Sequence, residues 1–85
     1  MVLTQAEAEK YLRDFARRLQ ERRKQLSLNT TQLSERTGIA RQTIESLESG
    51  SIEPRLLVVR RLARALETDP AALGFGAPAF RPDDG

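Results

Sequence analysis

The chain has 85 residues, enough for one domain with a modest hydrophobic core. It contains no cysteine and no histidine, which excludes a disulfide framework and a thiolate or imidazole metal site, so we expect no metal and no cofactor. No stretch approaches the roughly 20 apolar residues that a membrane span needs, and residues 1–10 lack the pattern of a secretory signal. We therefore expect an intracellular, cytoplasmic protein without a membrane partner.

The net charge is only +2, but the cations are unevenly distributed. Between Lys10 and Lys24 there are seven cations against two anions, and Arg60, Arg61 and Arg64 form a second cluster. Such clusters are typical of solvated helix faces as well as of nucleic-acid-binding surfaces. We favour a solvated face for Arg17, Arg18 and Arg22, and we assign the second cluster to no DNA contact.

The first predicted element is a long helix over about residues 5–26. Thr4 and Glu7 have the spacing of a capping box, which satisfies free amides at a helix start. A bend or break near Lys10 is left open. One apolar stripe at helical spacing follows, made of Leu12, Phe15, Ala16, Leu19 and Leu26.

Two short helices are predicted next. Asn29 is a favourable N-cap for a second helix over about 30–37, and Gly38 suits the left-handed residue after it. A third helix over 41–49 is closed by Gly50. Its residues Ile44 and Leu47 should face inward, whereas Gln42, Glu45, Ser46 and Ser49 should face outward.

The last two helices are predicted from apolar spacing and a proline. A fourth helix over about 55–67 buries some of its apolar residues, and Asp69 followed by Pro70 starts a one-turn fifth helix that ends near Gly74. The candidates for burial in the fourth helix are Leu56, Val59, Leu62, Ala63 and Leu66. The fold class is therefore all-α, a compact five-helix domain over 12–75, with an N-terminal extension of the first helix over 1–11 and a flexible tail over 76–85.

Residues 30–49 have the features that two short helices need in order to cross steeply. Ser34 is small enough for a close approach, and Gly38 accepts a positive φ in the turn. Apolar residues that lock the pair follow in order: Leu33, Ile39, Ile44 and Leu47. Helices two and three are thus predicted to form a helix-turn-helix.

The run LSLNTTQLSERTGIARQTIESLESGSIEP resembles the helix-turn-helix of the lambda-repressor-like, or Xre/Cro-type, family of transcriptional regulators. The resemblance covers roughly residues 12–73, with five helices in the order of that family. It implies a sequence-specific regulator that binds double-stranded DNA and places the helix over 41–49 in the major groove.

The resemblance also implies roles for individual residues. Positions that read bases fall on Arg41, Gln42 and Ser46. An ion pair between the first and third helices falls on Arg23 and Glu48. Positions that contact phosphates fall on Asn29, Thr30, Thr43, Ser51 and Arg55.

Two residues depart from the family pattern. Thr30 stands where the family usually has glutamine, which shortens that phosphate contact. Ala40 stands where a serine or threonine often caps the third helix, so we expect a weaker cap or a different helix start. Neither departure affects the expected fold.

The residue chemistry agrees with base reading at Arg41 and Gln42. Arginine can donate two hydrogen bonds to guanine O6 and N7, and glutamine can pair with adenine N6 and N7. Residues 30–49 hold two arginines against three glutamates, so strong sequence-blind binding by this segment is not expected.

A single such domain covers one half-site, so we expect a homodimer on an inverted repeat. Without a separate dimerisation domain, the interface should come from the last two helices and the tail: Leu57, Val58, Leu73, Phe75 and Phe80. The alternative is an antitoxin-like or other interaction module whose main partner is a protein such as a toxin. An enzyme has almost no support, because the chain lacks histidine, cysteine and a phosphate-binding loop.

Overall fold

The computed structural model describes residues 2–77, which form five α-helices and no strand. The helices are α1 (Gln5–Gln25), α2 (Thr30–Thr37), α3 (Arg41–Glu48), α4 (Leu56–Ala65) and α5 (Pro70–Phe75). These elements confirm the predicted all-α class and helix order. α1 runs through Lys10 without a break, which settles the question left open by the sequence. None of the five helices has an apolar stretch long enough to cross a membrane.

Three helix starts are determined by local side chains. Thr4 accepts a hydrogen bond from the Glu7 amide, and the Glu7 side chain bonds back, which completes the predicted capping box of α1. The carboxylate of Asp69 accepts from two amides of α5, whose first residue is Pro70. Asn29 caps α2, as described below. The start of each of these helices is therefore specified by residues within one turn of it.

The ends of α1 and α4 are closed by residues other than glycine in the left-handed conformation. Ser27 has φ 56° and Glu67 has φ 54°. At the first of these turns the Leu28 amide donates to the Arg23 carbonyl at 3.1 Å, the pattern of a Schellman motif. Because no glycine marks either turn, the prediction of 55–67 for the fourth helix extended past the end of α4.

The core lies where all five helices meet. α1 packs against α3 and α5, α2 packs against α3 and α4, and α4 packs against α5. Leu73, which was predicted to lie on a dimer surface, is only 3% exposed and belongs to this core, so its side chain is not available to a second copy. The other large core residues are Phe15, Leu19, Leu28, Leu33, Ile39, Ile44, Leu47, Leu62 and Leu66.

Two arginines of α1 bind the ends of other helices. Arg18 donates to the carbonyls of Leu73 at 2.8 Å and Gly74 at 2.9 Å, and Arg22 donates to the carbonyl of Leu66 at 2.7 Å. Burial lowers the pKa of the Arg18 guanidinium from its ordinary value. The prediction of a solvated face was therefore wrong for these two residues, which satisfy carbonyls that α4 and α5 leave free at their C-termini.

We expect Gly38→Ala to lower the free energy of unfolding by about 1 kcal/mol, as measured by urea denaturation. Gly38 has φ 74°, and a Cβ built there would meet no atom within 4 Å. The cost should therefore come from backbone strain alone. Gly38→Asn should cost less than Gly38→Ala, because asparagine tolerates this conformation better. An alanine variant as stable as the parent protein would contradict this account.

Candidate nucleic-acid interface

The turn between α2 and α3 is held by two hydroxyl groups. The Ser34 hydroxyl donates to the Ile39 carbonyl across the turn. The Thr37 hydroxyl donates to the Leu33 carbonyl at 2.8 Å and accepts from the Ile39 amide at 3.1 Å. Gly38 supplies the left-handed residue between them. Ser34 is therefore more than a small residue at a close approach, since its hydroxyl also fixes the geometry of the turn.

α3 has one buried face and one exposed face. Ile44 is fully buried and Leu47 is 1% exposed, whereas Arg41, Gln42 and Glu45 are exposed. This division agrees with the predicted orientation of the helix. Ser46, by contrast, is half-buried rather than fully outward. The first turn of α3 thus presents its long polar side chains to solvent.

The start of α3 lacks a side-chain cap. Ala40 occupies the N-cap position and makes no capping hydrogen bond, which confirms the weaker cap expected from the sequence. The helix nevertheless begins at Arg41 as predicted. The first amides of α3, near Arg41 and Gln42, therefore donate no hydrogen bond to an N-cap side chain.

The C-terminus of α3 is fixed to α1. Gln20 donates to the Glu48 carbonyl at 2.6 Å. Arg23 forms two parallel bonds to the Glu48 carboxylate at 2.7 and 2.8 Å, and a third to the Leu28 carbonyl at 2.9 Å. This is the predicted Arg23–Glu48 ion pair, with side chains only 14% and 10% exposed. Hydrogen bonding to Glu48 raises the pKa of the Arg23 guanidinium above its ordinary value.

Arg41 forms an ion pair that the sequence reasoning missed. Its Nε lies 2.7 Å from the Glu45 carboxylate, with the two side chains 63% and 48% exposed. The spacing of four residues was the available signal. The pair uses Nε, and neither terminal nitrogen of the guanidinium forms a hydrogen bond within residues 2–77. Those nitrogens can still donate two parallel hydrogen bonds to a group that presents two adjacent acceptor atoms.

The side-chain amide of Asn29, at the start of α2, is available as a hydrogen-bond donor. The Asn29 side-chain oxygen accepts from the Gln32 amide at 2.7 Å, and the Gln32 side-chain oxygen accepts from the Asn29 amide at 2.8 Å. Asn29 thus acts as the predicted N-cap, although its capping-box partner Gln32 was not foreseen. The side-chain NH₂ group of Asn29 has no acceptor within residues 2–77. Thr30, the next residue, is half-buried.

Thr43 and Arg55 lie on one groove between α3 and α4. Thr43 is half-buried on α3, whereas Arg55 is exposed at the N-cap position of α4 and makes no capping bond with its side chain. The structure therefore brings these two predicted phosphate contacts together. The groove is also lined by Ile39, Leu47, Ile52, Glu53, Pro54, Val58 and Arg61.

Ser51 belongs to a hydroxyl cluster at the end of α3. Its hydroxyl lies 3.1 Å from the Ser46 carbonyl and 2.8 Å from the Ser49 hydroxyl, which in turn lies 2.8 Å from the same carbonyl. A phosphate at Ser51 must therefore compete with acceptors inside the protein. Among the predicted phosphate contacts Ser51 is thus a weaker donor than Asn29 or Arg55.

The predicted dimer residues have different environments. Leu57 is 67% exposed and Phe75 is 77% exposed, whereas Val58 is half-buried against the core. Phe80 lies outside the described residues. Leu56, which the sequence offered as a candidate for burial, is 83% exposed. With Leu73 in the core, the exposed large apolar residues of the last two helices are Leu56, Leu57 and Phe75.

The turn held by the Ser34 and Thr37 hydroxyls, the exposed first turn of α3 and the anchored end of α3 together define a helix-turn-helix domain. The profile of the helix-turn-helix family HTH_3 matches residues 19–73, and the chain belongs to this family of transcriptional regulators. The family is not a class of enzymes. Its match confirms the resemblance that the sequence showed.

One known relative supports this assignment, and one solved structure shares the fold. An uncharacterized HTH-type transcriptional regulator of Methanothermobacter thermautotrophicus is 48% identical over 48 residues, which cover 56% of this chain and 70% of that protein. The crystal structure of an HTH_3 family transcriptional regulator from Vibrio cholerae aligns with a TM-score of 0.73 at 21% identity. That alignment covers 78% of this chain but 37% of the Vibrio chain, so it shows the shared fold.

Proposed function

We propose that this protein is a sequence-specific transcriptional regulator that binds double-stranded DNA as a homodimer in the cytoplasm. α3 would lie in the major groove, with each copy on one half of an inverted repeat. The observation that carries the proposal is the exposure of Arg41 and Gln42 on the first turn of α3. The opposite face and the far end of this helix are fixed by the core and by α1.

Base reading would centre on Arg41 and Gln42. The Glu45 carboxylate holds the Arg41 guanidinium through Nε, so both terminal nitrogens can donate to guanine O6 and N7. Gln42 can donate to and accept from adenine on the neighbouring step. Ser46, one turn further along, is half-buried and contributes a shorter contact.

Phosphate contacts would flank the reading helix. Asn29 has a free side-chain amide at the start of α2, and Thr30 follows it where the helix dipole favours an anion. On the other side, Thr43 and Arg55 share one groove. Ser51 would have to exchange an internal hydrogen bond for its contact. These contacts would set the register of the protein on the duplex.

The dimer surface would be built from Leu57, Val58 and Phe75, with Phe80 as a further contact. Leu57 and Phe75 support this placement because large apolar side chains with such exposure are typical of interaction surfaces.

The decisive experiment selects bound fragments from random duplex DNA with the purified protein. We expect enrichment of an inverted repeat whose half-site centres are about 34 Å apart, one turn of the double helix. Sedimentation of the protein on the selected duplex should show two copies. Absence of any enriched sequence would contradict the proposal.

A second candidate is an antitoxin-like module that binds a protein partner such as a toxin. It is favoured by apolar side chains that precede the region matched by the family: Val2 is 90% exposed, and Leu3 and Tyr11 are each 55% exposed. A stable protein complex together with no enriched DNA sequence would support this candidate over the first.

Arg41→Ala should weaken binding to the selected duplex by about 1–3 kcal/mol and relax the preference at one base pair. The matched control is Arg17→Ala, because Arg17 is also exposed and also pairs with a carboxylate on its own helix. That control should change sequence preference at no position. Equal weakening by Arg41→Ala on every duplex would mark Arg41 as a phosphate contact instead.

A further inference from the structure

A groove lined by three arginines lies between the C-terminal turn of α2 and the C-terminal half of α4. Arg36 comes from α2, and Arg61 and Arg64 come from α4. All three side chains are exposed. The remaining lining residues are Thr37, Ala65 and Glu67. The groove is separate from the first turn of α3.

The groove keeps an excess of positive charge, because three arginines line it against one glutamate, Glu67. None of the three arginines forms an ion pair with an acidic side chain of residues 2–77. α4 itself contains three arginines and no acidic residue. Like charges that converge on a concave surface repel one another and focus a positive potential there. An anionic ligand would remove that repulsion.

Helix-end electrostatics explain only part of the cluster. Arg36 and Arg64 lie in the last turns of α2 and α4, where a cation is favourable. Arg61 lies outside the last turn and gains less from the dipole. The Thr37 hydroxyl already donates to the Leu33 carbonyl. The donors that the groove offers are therefore guanidinium groups, whose paired N–H bonds match phosphate oxygens.

We propose that this groove binds a phosphate-bearing anion, independently of base reading by α3. The phosphate could belong to a free polyphosphate such as a nucleotide or to the backbone of DNA beyond the half-site. Arg61 also lines the groove that holds Thr43 and Arg55, so the two surfaces are adjacent. Glu67 is the acidic residue among those lining the groove, and its carboxylate opposes an anionic ligand.

The test is a titration of the full chain with inorganic pyrophosphate, monitored by NMR chemical shifts. The salt concentration is about 150 mM, at which long-range electrostatic attraction is screened. We expect saturable shifts confined to the groove. Arg64→Gln should weaken binding by about tenfold, since one charge-assisted contact is lost. Arg60→Gln is the matched control, because Arg60 is an exposed arginine of α4 that does not line the groove, and it should leave binding unchanged. Glu67→Gln should strengthen binding.

The same variants separate the two sources of phosphate. If Arg64→Gln lowers the salt dependence of DNA binding only on duplexes that extend beyond the half-site, the phosphate is that of the DNA backbone. If DNA binding is unchanged while pyrophosphate binding is lost, the ligand is a free anion. Equal effects of Arg60→Gln and Arg64→Gln, or a titration without saturation, would overturn the proposal. Circular dichroism should show that all three variants are folded.

Discussion

Leu62→Ala should lower the free energy of unfolding by about 2–5 kcal/mol, measured by urea denaturation. Leu62 lies in α4, is fully buried and belongs to the core shared by the five helices. Its truncation removes apolar contacts and leaves a cavity that rigid neighbours cannot fill. Such a loss is a large fraction of the stability of a domain of this size.

Leu56→Ala is the matched control for this prediction. Leu56 is the same residue type in the same helix but is 83% exposed, so its truncation should change stability by no more than about 0.5 kcal/mol. Both variants replace leucine by alanine in α4, so the difference in helix propensity between these residue types changes the free energy of unfolding in the same direction. The difference between the two variants therefore reports burial. Similar losses in both would contradict the position of α4 in the fold.

The second large effect is expected at the ion pair between α1 and α3. Glu48→Ala should destabilise the protein by about 3 kcal/mol, because it leaves the guanidinium of Arg23 largely buried without its counter-ion. Of the three hydrogen bonds that Arg23 donates, only the one to the Leu28 carbonyl would remain. The measurement is again the free energy of unfolding in urea.

Two further variants make this prediction specific. Glu45→Ala breaks the exposed pair with Arg41 on the same helix and should cost at most about 0.5 kcal/mol. In the double variant Arg23→Met with Glu48→Ala no unpaired charge remains, so it should be destabilised by less than the sum of the two single changes. Additive losses, or equal losses for Glu45→Ala and Glu48→Ala, would show that the pair does not act as a buried unit.

Much of the fold could be predicted because its signals are local. The capping residues Thr4, Asn29 and Asp69 lie within a turn of the helices they start, and apolar spacing marks the buried faces. The end of α4 was less predictable. Glu67 adopts the left-handed conformation without being glycine, so composition carried no stop signal there.

The candidate site was predictable where the family resemblance assigned residues, as for Arg23 and Glu48. Contacts that depend on tertiary packing were not predictable. Arg18 reaches carbonyls 55 and 56 residues further along the chain, a relation that local pattern does not encode. Leu73 was misassigned because α5 is short. So few residues do not show a periodicity that would mark its buried face, and only tertiary packing determines it.

The anchoring of α1 has a consequence for folding during synthesis. Its side chains bond to the ends of α3, α4 and α5, and the farthest of these partners is Gly74. α1 is synthesised before the other four helices, so its side chains have all of these carbonyl partners only after Gly74 has been added to the chain. Full docking of α1 therefore requires that α5 has been synthesised, and contacts closed over such long loops slow folding.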